Sequence, residues 1–299
     1  MVVPMQNALK QLAEDIEVCK ASPFNIEIPA DEIPCLELLQ GLRYLPILSN
    51  TLHPATHTNA PLLGDPGKRQ ILVDPSAKDD GVYQQLLTTL QRYPVDAILI
   101  SHHHPDHHHY AMELARTQQI PVLMSACTRY WLARHFGAGY LEGVELEIIT
   151  EGTAVCEWQG QPVRAYELPG HDEGMLGLAP DSLRWFFIAD LAQSRGSILI
   201  PEEGGDLDLY LQSLQRVIDL KPDYILPSHG VISGGTEILD RTLRHRLQRH
   251  QQIDELRRKN QGDQQIVAAL YPDLEARYQD FALQTVRQHL RLLEVQNPL

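Results

Sequence analysis

Residues 101–109 read Ser101-His102-His103-His104-Pro105-Asp106-His107-His108-His109, directly after the apolar run Ala97-Ile98-Leu99-Ile100. That run is short, rich in β-formers and preceded by Pro94, so it predicts a buried strand emptying into a loop. Within the loop, His102, His104, Asp106 and His107 spell H-x-H-x-D-H. Neutral imidazoles with a carboxylate form a donor set that zinc prefers and that iron or manganese accept. Two histidines one residue apart can clamp one ion from an irregular turn, and the Asp-His pair beyond them can face a second. A tag-like histidine run also binds metal adventitiously. Such a run, however, does not sit behind a core strand with an aspartate in register.

The 299 residues exceed one usual hydrophobic core, and 43% hydrophobic with 21% charged residues is ordinary globular composition. A net charge of −14 argues against a broad non-specific nucleic-acid surface. The charge is uneven: from Arg241 onward 10 Lys/Arg face 7 Asp/Glu, +3, which leaves −17 for the rest. Cys19, Cys35, Cys127 and Cys156 are scattered without a C-x-x-C, which reads as reduced thiols rather than disulfides or ligands. The N-terminus lacks a basic segment followed by a long apolar one, and no run has the length of a membrane span. The expectation is a cytoplasmic protein without a membrane partner.

Residues 6–20 space Leu9, Leu12, Ala13, Ile16 and Cys19 as an amphipathic helix. Pro23, Pro29 and Pro34 break regular structure after it, and 36–48 is an apolar segment of undecided type. Strands are expected at 59–64 and 70–74, joined by the turn Asp65-Pro66-Gly67-Lys68. Helices at 82–93, 110–117 and 126–136 alternate with strands before the histidine run and at 120–124, an α/β pattern. Segments 145–149, 154–158 and 163–168 alternate polar and apolar, the period of half-buried antiparallel strands. Three further candidate ligands close strands: His171 after Glu167-Leu168-Pro169-Gly170, Asp190 after Trp185–Ala189, and His229 after Tyr224–Ser228. A helix over 206–220 separates the last two. From Thr236 the texture turns polar and Arg/Gln-rich, with helices at 238–260, 265–271 and 275–295. The division expected is an N-terminal helix and extension over 1–48, a catalytic domain over 49–236 and a helical domain over 237–299.

With these signals together, the chain resembles the metallo-β-lactamase superfamily over about residues 50–235. The match is His102, His104, Asp106 and His107, then His171, Asp190 and His229, in the family's order. Asp74 fits the structural aspartate that precedes the metal loop. The resemblance implies an α/β (α+β) four-layer αβ/βα sandwich with metals at one edge, plus the small C-terminal all-helical domain. It implies that His102, His104 and His171 hold a first metal, that Asp106, His107 and His229 hold a second, and that Asp190 bridges them. The cofactor implied is two divalent ions, zinc foremost, with iron or manganese as alternatives. His108-His109-Tyr110 and Asp172-Glu173 depart from the common pattern at positions expected to line the approach. The tail, from His245-Arg246-Leu247-Gln248-Arg249-His250 onward, resembles that of lactamase-like relatives of the superfamily's endoribonuclease branch, where it forms a winged-helix-like module. Here little chain remains for wing strands.

Two such ions, held by these residues, would supply an acidified water able to attack a carbonyl or phosphorus centre. Asp106 or Asp190 would orient it as the catalytic carboxylate. The expected activity is hydrolysis of a small-molecule ester, thioester or lactone. The alternatives are endoribonuclease action on single-stranded RNA and an iron-dependent redox protein of the same fold. His103 is expected to turn away from the metals. His108 and His109 read as helix-start residues, with a proton-donor role as the alternative. His53, His57, His135, His245, His250 and His289 read as surface or packing residues. A homodimer contact is open to the first helix and to the tail helices.

Overall fold

A computed structural model describes residues 31–194 and 196–296; the helix expected over 6–20, and Cys19 within it, lie outside the described residues. Two sheets carry the fold. The first has seven strands in sequence order, β1 (Leu36–Leu39), β2 (Leu42–Leu48), β3 (His57–Leu63), β4 (Ile71–Val73), β5 (Ala97–Leu99), β6 (Val122–Met124) and β7 (Leu146–Ile148). The second has six in the order β13-β12-β11-β10-β9-β8. Its strands are β8 (Ala154–Trp158), β9 (Gln161–Glu167), β10 (Leu176–Pro180), β11 (Phe186–Ala189), β12 (Tyr224–Pro227) and β13 (Ser233–Gly234).

Alternation along the strands of the first sheet sorts side chains between two apolar layers. Tyr44, Ile71, Val73, Ala97, Leu99 and Leu123 face inward against Trp158, Val163, Ala165 and Leu178 of the second sheet. Their neighbours Leu45, Ile47, Leu72, Ile98, Val122 and Met124 face outward. Helices α1 (Asp80–Arg92), α3 (Ala111–Gln118) and α4 (Ala126–Phe136) cover that outer face through Leu86, Leu114 and Leu132. On the far side, α5 (Leu207–Leu220) packs Tyr210, Leu214 and Val217 against the second sheet. The result is the four-layer αβ/βα sandwich.

The undecided stretch 36–48 is the hairpin β1–β2, turning at Gly41 with φ +80°. β10, unanticipated from the sequence, is buried on both faces and therefore shows no alternation; Gly177 lies between Leu168 and Phe186, where a Cβ would meet carbons at 2.7–2.8 Å. Strand β7 corrects an expectation. It pairs parallel with β6, and its polar residues reflect its place at the sheet edge, not antiparallel pairing.

Strand direction places the site. β9 and β11 both run antiparallel to β10, and β12 is parallel to β11, so β9, β11 and β12 end on one edge. In the first sheet β4 and β5 are parallel. The carboxyl ends of these strands deliver Asp74, Ser101–His107, His171, Asp190 and His229 to one place.

The tail is all helical after Gly234 among the described residues: α6 (Glu237–Arg258), α7 (Asp263–Leu270), a 3-10 turn (Ala276–Tyr278) and α8 (Gln279–Gln296). Ile253, Ile266, Val267, Ala282, Val286 and Leu293 form its own apolar cluster, whereas Ile238 and Leu239 belong to the main core. No strand follows Gly234 among these residues, so the tail is helical and shows no wing there. Gln288 donates to the carbonyls of Pro201 and Gly205, and Glu202 pairs with Arg287 and Arg291. These bonds fasten α8 to the loop that precedes α5.

Candidate metal centre

Pro105 starts a single helical turn, α2 (Pro105–His108), so the expected loop is half helical. The turn aims His107 inward behind Asp106, while His102 and His104 reach the same space from the strand end. Gly170, at φ +135°, permits the approach to His171: a Cβ there would lie 2.2 Å from the Cα of Tyr210.

Three ring nitrogens converge first. His102 Nε2 lies 3.1 Å from His104 Nδ1, which lies 2.8 Å from His171 Nε2. Nitrogens held about 2.0–2.1 Å from one tetrahedral ion would stand about 3.3 Å apart, so this triangle is ligand-sized. A second group gathers round Asp106. His229 Nε2 is 3.3 Å from Asp106 Oδ2, and His107 Nε2 is 3.7 Å from Asp106 Oδ1. Asp190 touches both groups, with Oδ2 at 3.6 Å from His171 Nε2 and 3.7 Å from His107 Nε2, and Oδ1 at 3.4 Å from His229 Nε2.

The outer nitrogens decide what the inner ones offer. His171 Nδ1 contacts the carbonyl of Leu199 at 2.7 Å and His229 Nδ1 the carbonyl of His57 at 2.9 Å, and a carbonyl only accepts. His107 Nδ1 contacts Asp74 Oδ2 at 2.9 Å. The hydroxyl of Ser101 donates to Asp74 Oδ2 at 2.6 Å, so it accepts from His102 Nδ1 at 2.9 Å. In its neutral form each of these four rings therefore carries its proton outside and presents a lone pair inside. Lone pairs and carboxylate oxygens facing one another are held apart or bridged by a cation. His107 Nε2 and Asp190 Oδ1 are indeed buried without a hydrogen-bond partner. The donor set fits two divalent ions.

Without metal, the two groups of ligands titrate in opposite directions, His107 and His229 taking a proton in the place a cation would fill. Burial and the facing histidines hold His102 well below the usual imidazole range, and burial beside His171 pushes His104 down to about 3. Burial also opposes charge on His107 and His229, but Asp106 and Asp190 overrule it and raise both. Burial would likewise raise Asp106 and Asp190, yet the facing His107 and His229 hold both carboxyls low. Asp74 is fully buried and takes bonds from the Ser101 N–H, the Ser101 hydroxyl and His107, a brace under both groups.

All seven expected ligands thus meet at one edge. His103 turns away, as expected, to pair with Asp172 and stack on Trp131. Asp172, read as lining the approach, is instead fully buried with His103 and the Gly174 N–H. Glu173 accepts from the Cys127 thiol. His108 and His109 also point elsewhere. His108 bonds the Tyr140 hydroxyl and the His103 carbonyl, and His109 the Ala77 carbonyl, because the helical turn faces them into the outer layer. The proton-donor alternative is corrected accordingly.

Above the ligands opens a cavity of about 640 Å³. His104, Asp106, His171, Asp190 and His229 line it with Thr51, and so do His245, Arg246, Arg249 and aromatic residues of the tail. His53 and His245, read as surface or packing residues, line it, and the two arginines were not singled out. No spacing links these positions to the metal motif.

Clustered histidines and aspartates at the carboxyl edge of an αβ/βα sandwich define a metal-dependent class of protein. The sequence model of the metallo-beta-lactamase superfamily matches residues 54–229, more than half of the chain, and the chain belongs to that superfamily. A beta-lactamase-like protein 2 homolog from Drosophila melanogaster is 28% identical over 255 residues, covering 81% of this chain and 84% of its own. The homolog from Caenorhabditis elegans is 28% identical over 205 residues, covering 66% and 64%. A beta-lactamase domain protein from Burkholderia ambifaria shares the fold at 23% identity, with TM-score 0.72 over 92% of this chain and 91% of that one. A protein solved in a di-iron-bound form (TTHA1623) is 25% identical, with TM-score 0.51 over 66% of this chain and 98% of that one.

Proposed function

We propose that the chain is a dinuclear metal-dependent hydrolase acting on a small-molecule ester, thioester or lactone. The observation that carries this is the convergence of outward-protonated histidines and two carboxylates at the foot of a metabolite-sized cavity. His102, His104 and His171 would hold one ion and Asp106, His107 and His229 the other, with Asp190 reaching both. When bound, the ions supply an acidified water and a polarised acyl oxygen. Asp106 and Asp190 orient the attacking water and take up its proton, being held ionised by the facing histidines. Asp74 and the carbonyls of His57 and Leu199 fix the rings so that nothing need reorganise during the reaction. The water oxygen joins the acyl carbon, the C–O or C–S bond breaks, and the leaving alcohol or thiol receives the proton.

Zinc suits the His/Asp set, and the di-iron form of the 25% identical protein favours iron as the second reading. RNA as substrate draws support from the basic tail, whose two cavity arginines could meet a phosphate. Metal-free protein reloaded separately with zinc, iron or manganese and offered esters, thioesters, lactones and single-stranded RNA tests this. Hydrolysis in one arm, lost in Asp190→Ala, supports the reading. No turnover with any metal would overturn it.

A further inference from the structure

The same cavity that holds the metal ligands is also lined by cations without a partner among the described residues. Arg246 is 2% exposed, yet among the described residues it meets no carboxylate. It donates to the Ile198 carbonyl, lies over the Tyr210 ring at 5.3 Å, and leaves its buried Nε unbonded. Arg249, one helical turn on, is half-buried, lies 4.7 Å over the Tyr271 ring, and also leaves Nε unbonded. A buried and a half-buried guanidinium, held on rings and one carbonyl, lack the counter-ion that buried cations ordinarily have.

Their surroundings deepen the field. Among the described residues the cavity wall contains only two acids, Asp106 and Asp190, both in the metal centre, and His245 adds an imidazole beside the arginines. His289, behind Arg246, is pushed down to about 2 by burial and by the neighbouring cations. This occurs in a chain of net charge −14, so the positive wall is a local reversal and not a general property of the surface. Tyr271, Tyr278, Phe281 and Leu274 give the same cavity an apolar and aromatic wall. The arginines and the metal centre share one strut: Arg246 bonds the carbonyl of Ile198, and the next carbonyl, Leu199, holds the metal ligand His171.

We infer that Arg246 and Arg249 form an anion-recognition subsite, so that the substrate is a small ester or thioester bearing a carboxylate or phosphate group remote from its labile acyl bond. The aromatic wall of the same cavity suits a flat or apolar portion of that substrate. The inference rests on the hydrolase reading for the labile bond, while the anion subsite itself stands on the arginines.

Matched acyl probes test it with the metal-loaded full chain: 4-nitrophenyl pentanoate, its carboxylate twin 4-nitrophenyl hydrogen glutarate, and a twin ending in a phosphate monoester. Wild-type protein is expected to favour one anionic twin over the neutral ester by tenfold or more in kcat/KM, about the weight of one charge-assisted bond. Arg249→Gln should collapse that preference through KM, and an exposed control, Arg164→Gln, should keep it. The carboxylate and phosphate arms separate the two sources of charge. Glutarate and inorganic phosphate are also titrated calorimetrically. If no probe is hydrolysed but an anion binds wild type and not Arg249→Gln, the hydrolase reading fails while the subsite stands. Equal turnover of neutral and anionic probes, or anion binding untouched in Arg249→Gln, overturns the subsite. Salt-sensitive cleavage of single-stranded RNA with both small anions inert overturns the small-molecule inference.

Discussion

Replacing Asp74 by asparagine asks whether the buried brace sets the chemistry of the ligands above it. Asp74 sits at φ +49°, a left-handed conformation that asparagine tolerates, so the backbone need not shift. The amide oxygen can keep the bond to the Ser101 N–H at Oδ1, but an NH2 then occupies the place of Oδ2. That position now accepts from both the Ser101 hydroxyl and His107 Nδ1. The hydroxyl can turn and accept instead. The imidazole can relieve the donor–donor clash only by moving its proton to Nε2, the atom that should ligate metal. Losing about one charge-assisted bond costs roughly 1.5–3 kcal/mol of stability. In a protein of this size that is about 3–10 °C in Tm. Metal affinity should fall about 10–100-fold as well, since the wrong tautomer must be reversed before binding. Urea melts of metal-free protein give the first quantity and competition against a calibrated chelator the second. An Asp74→Asn protein that is destabilised yet binds metal like wild type would refute the proposed control of the tautomer.

The metal-free protein should be most stable near pH 6.5. His104, His108 and His289 have folded values pushed down to about 3, 3 and 2, so their contribution is present above the unfolded value and lost as pH falls. His107 and His229 have raised folded values, so theirs is full below the unfolded value and lost as pH rises. Urea midpoints at pH 5, 6.5 and 8.5 should therefore peak in the middle in chelator, and added metal should lift the alkaline side; a monotonic rise in chelator would contradict the assignments. His108→Ala should cost about 2–3 kcal/mol through its lost bonds to Tyr140 and His103 while turnover per metal-loaded molecule stays within about threefold. Turnover falling with unchanged urea stability would restore His108 as a proton donor. Burial pushes the thiols of Cys35, Cys127 and Cys156 up to about 12, so native protein at pH 8 should resist iodoacetamide at all three, read by peptide mass spectrometry, and react once unfolded.

The sequence carried the metal centre further than it carried the pocket, for a physical reason. H-x-H-x-D-H lies within six residues, so local geometry alone brings His102, His104, Asp106 and His107 together. His171, Asp190 and His229 are single residues at strand ends, and only the family order joins them to the motif. Strand β10 was invisible because burial on both faces removes the alternation that betrays a strand. The hairpin β1–β2 was ambiguous because Pro46 and the apolar run Tyr44–Leu48 mask the same period. The tail's part of the cavity wall was not legible at all. Arg246 and Arg249 sit on a polar, Arg- and Gln-rich helix, and only its tertiary packing, with Arg246 on the Ile198 carbonyl and over the Tyr210 ring, brings them to the cavity. His108 misled for the opposite reason, since it sits beside the motif while the helical turn points it away.

The central claim is a centre for two ions built from His102, His104, Asp106, His107, His171, Asp190 and His229. Elemental analysis of tag-free protein, purified without added metal and compared with Asp190→Ala, tests it most directly. Two divalent ions per wild-type chain, falling to one or none in the variant, is the predicted result. Wild type without bound metal, or a variant that keeps both ions, would contradict it.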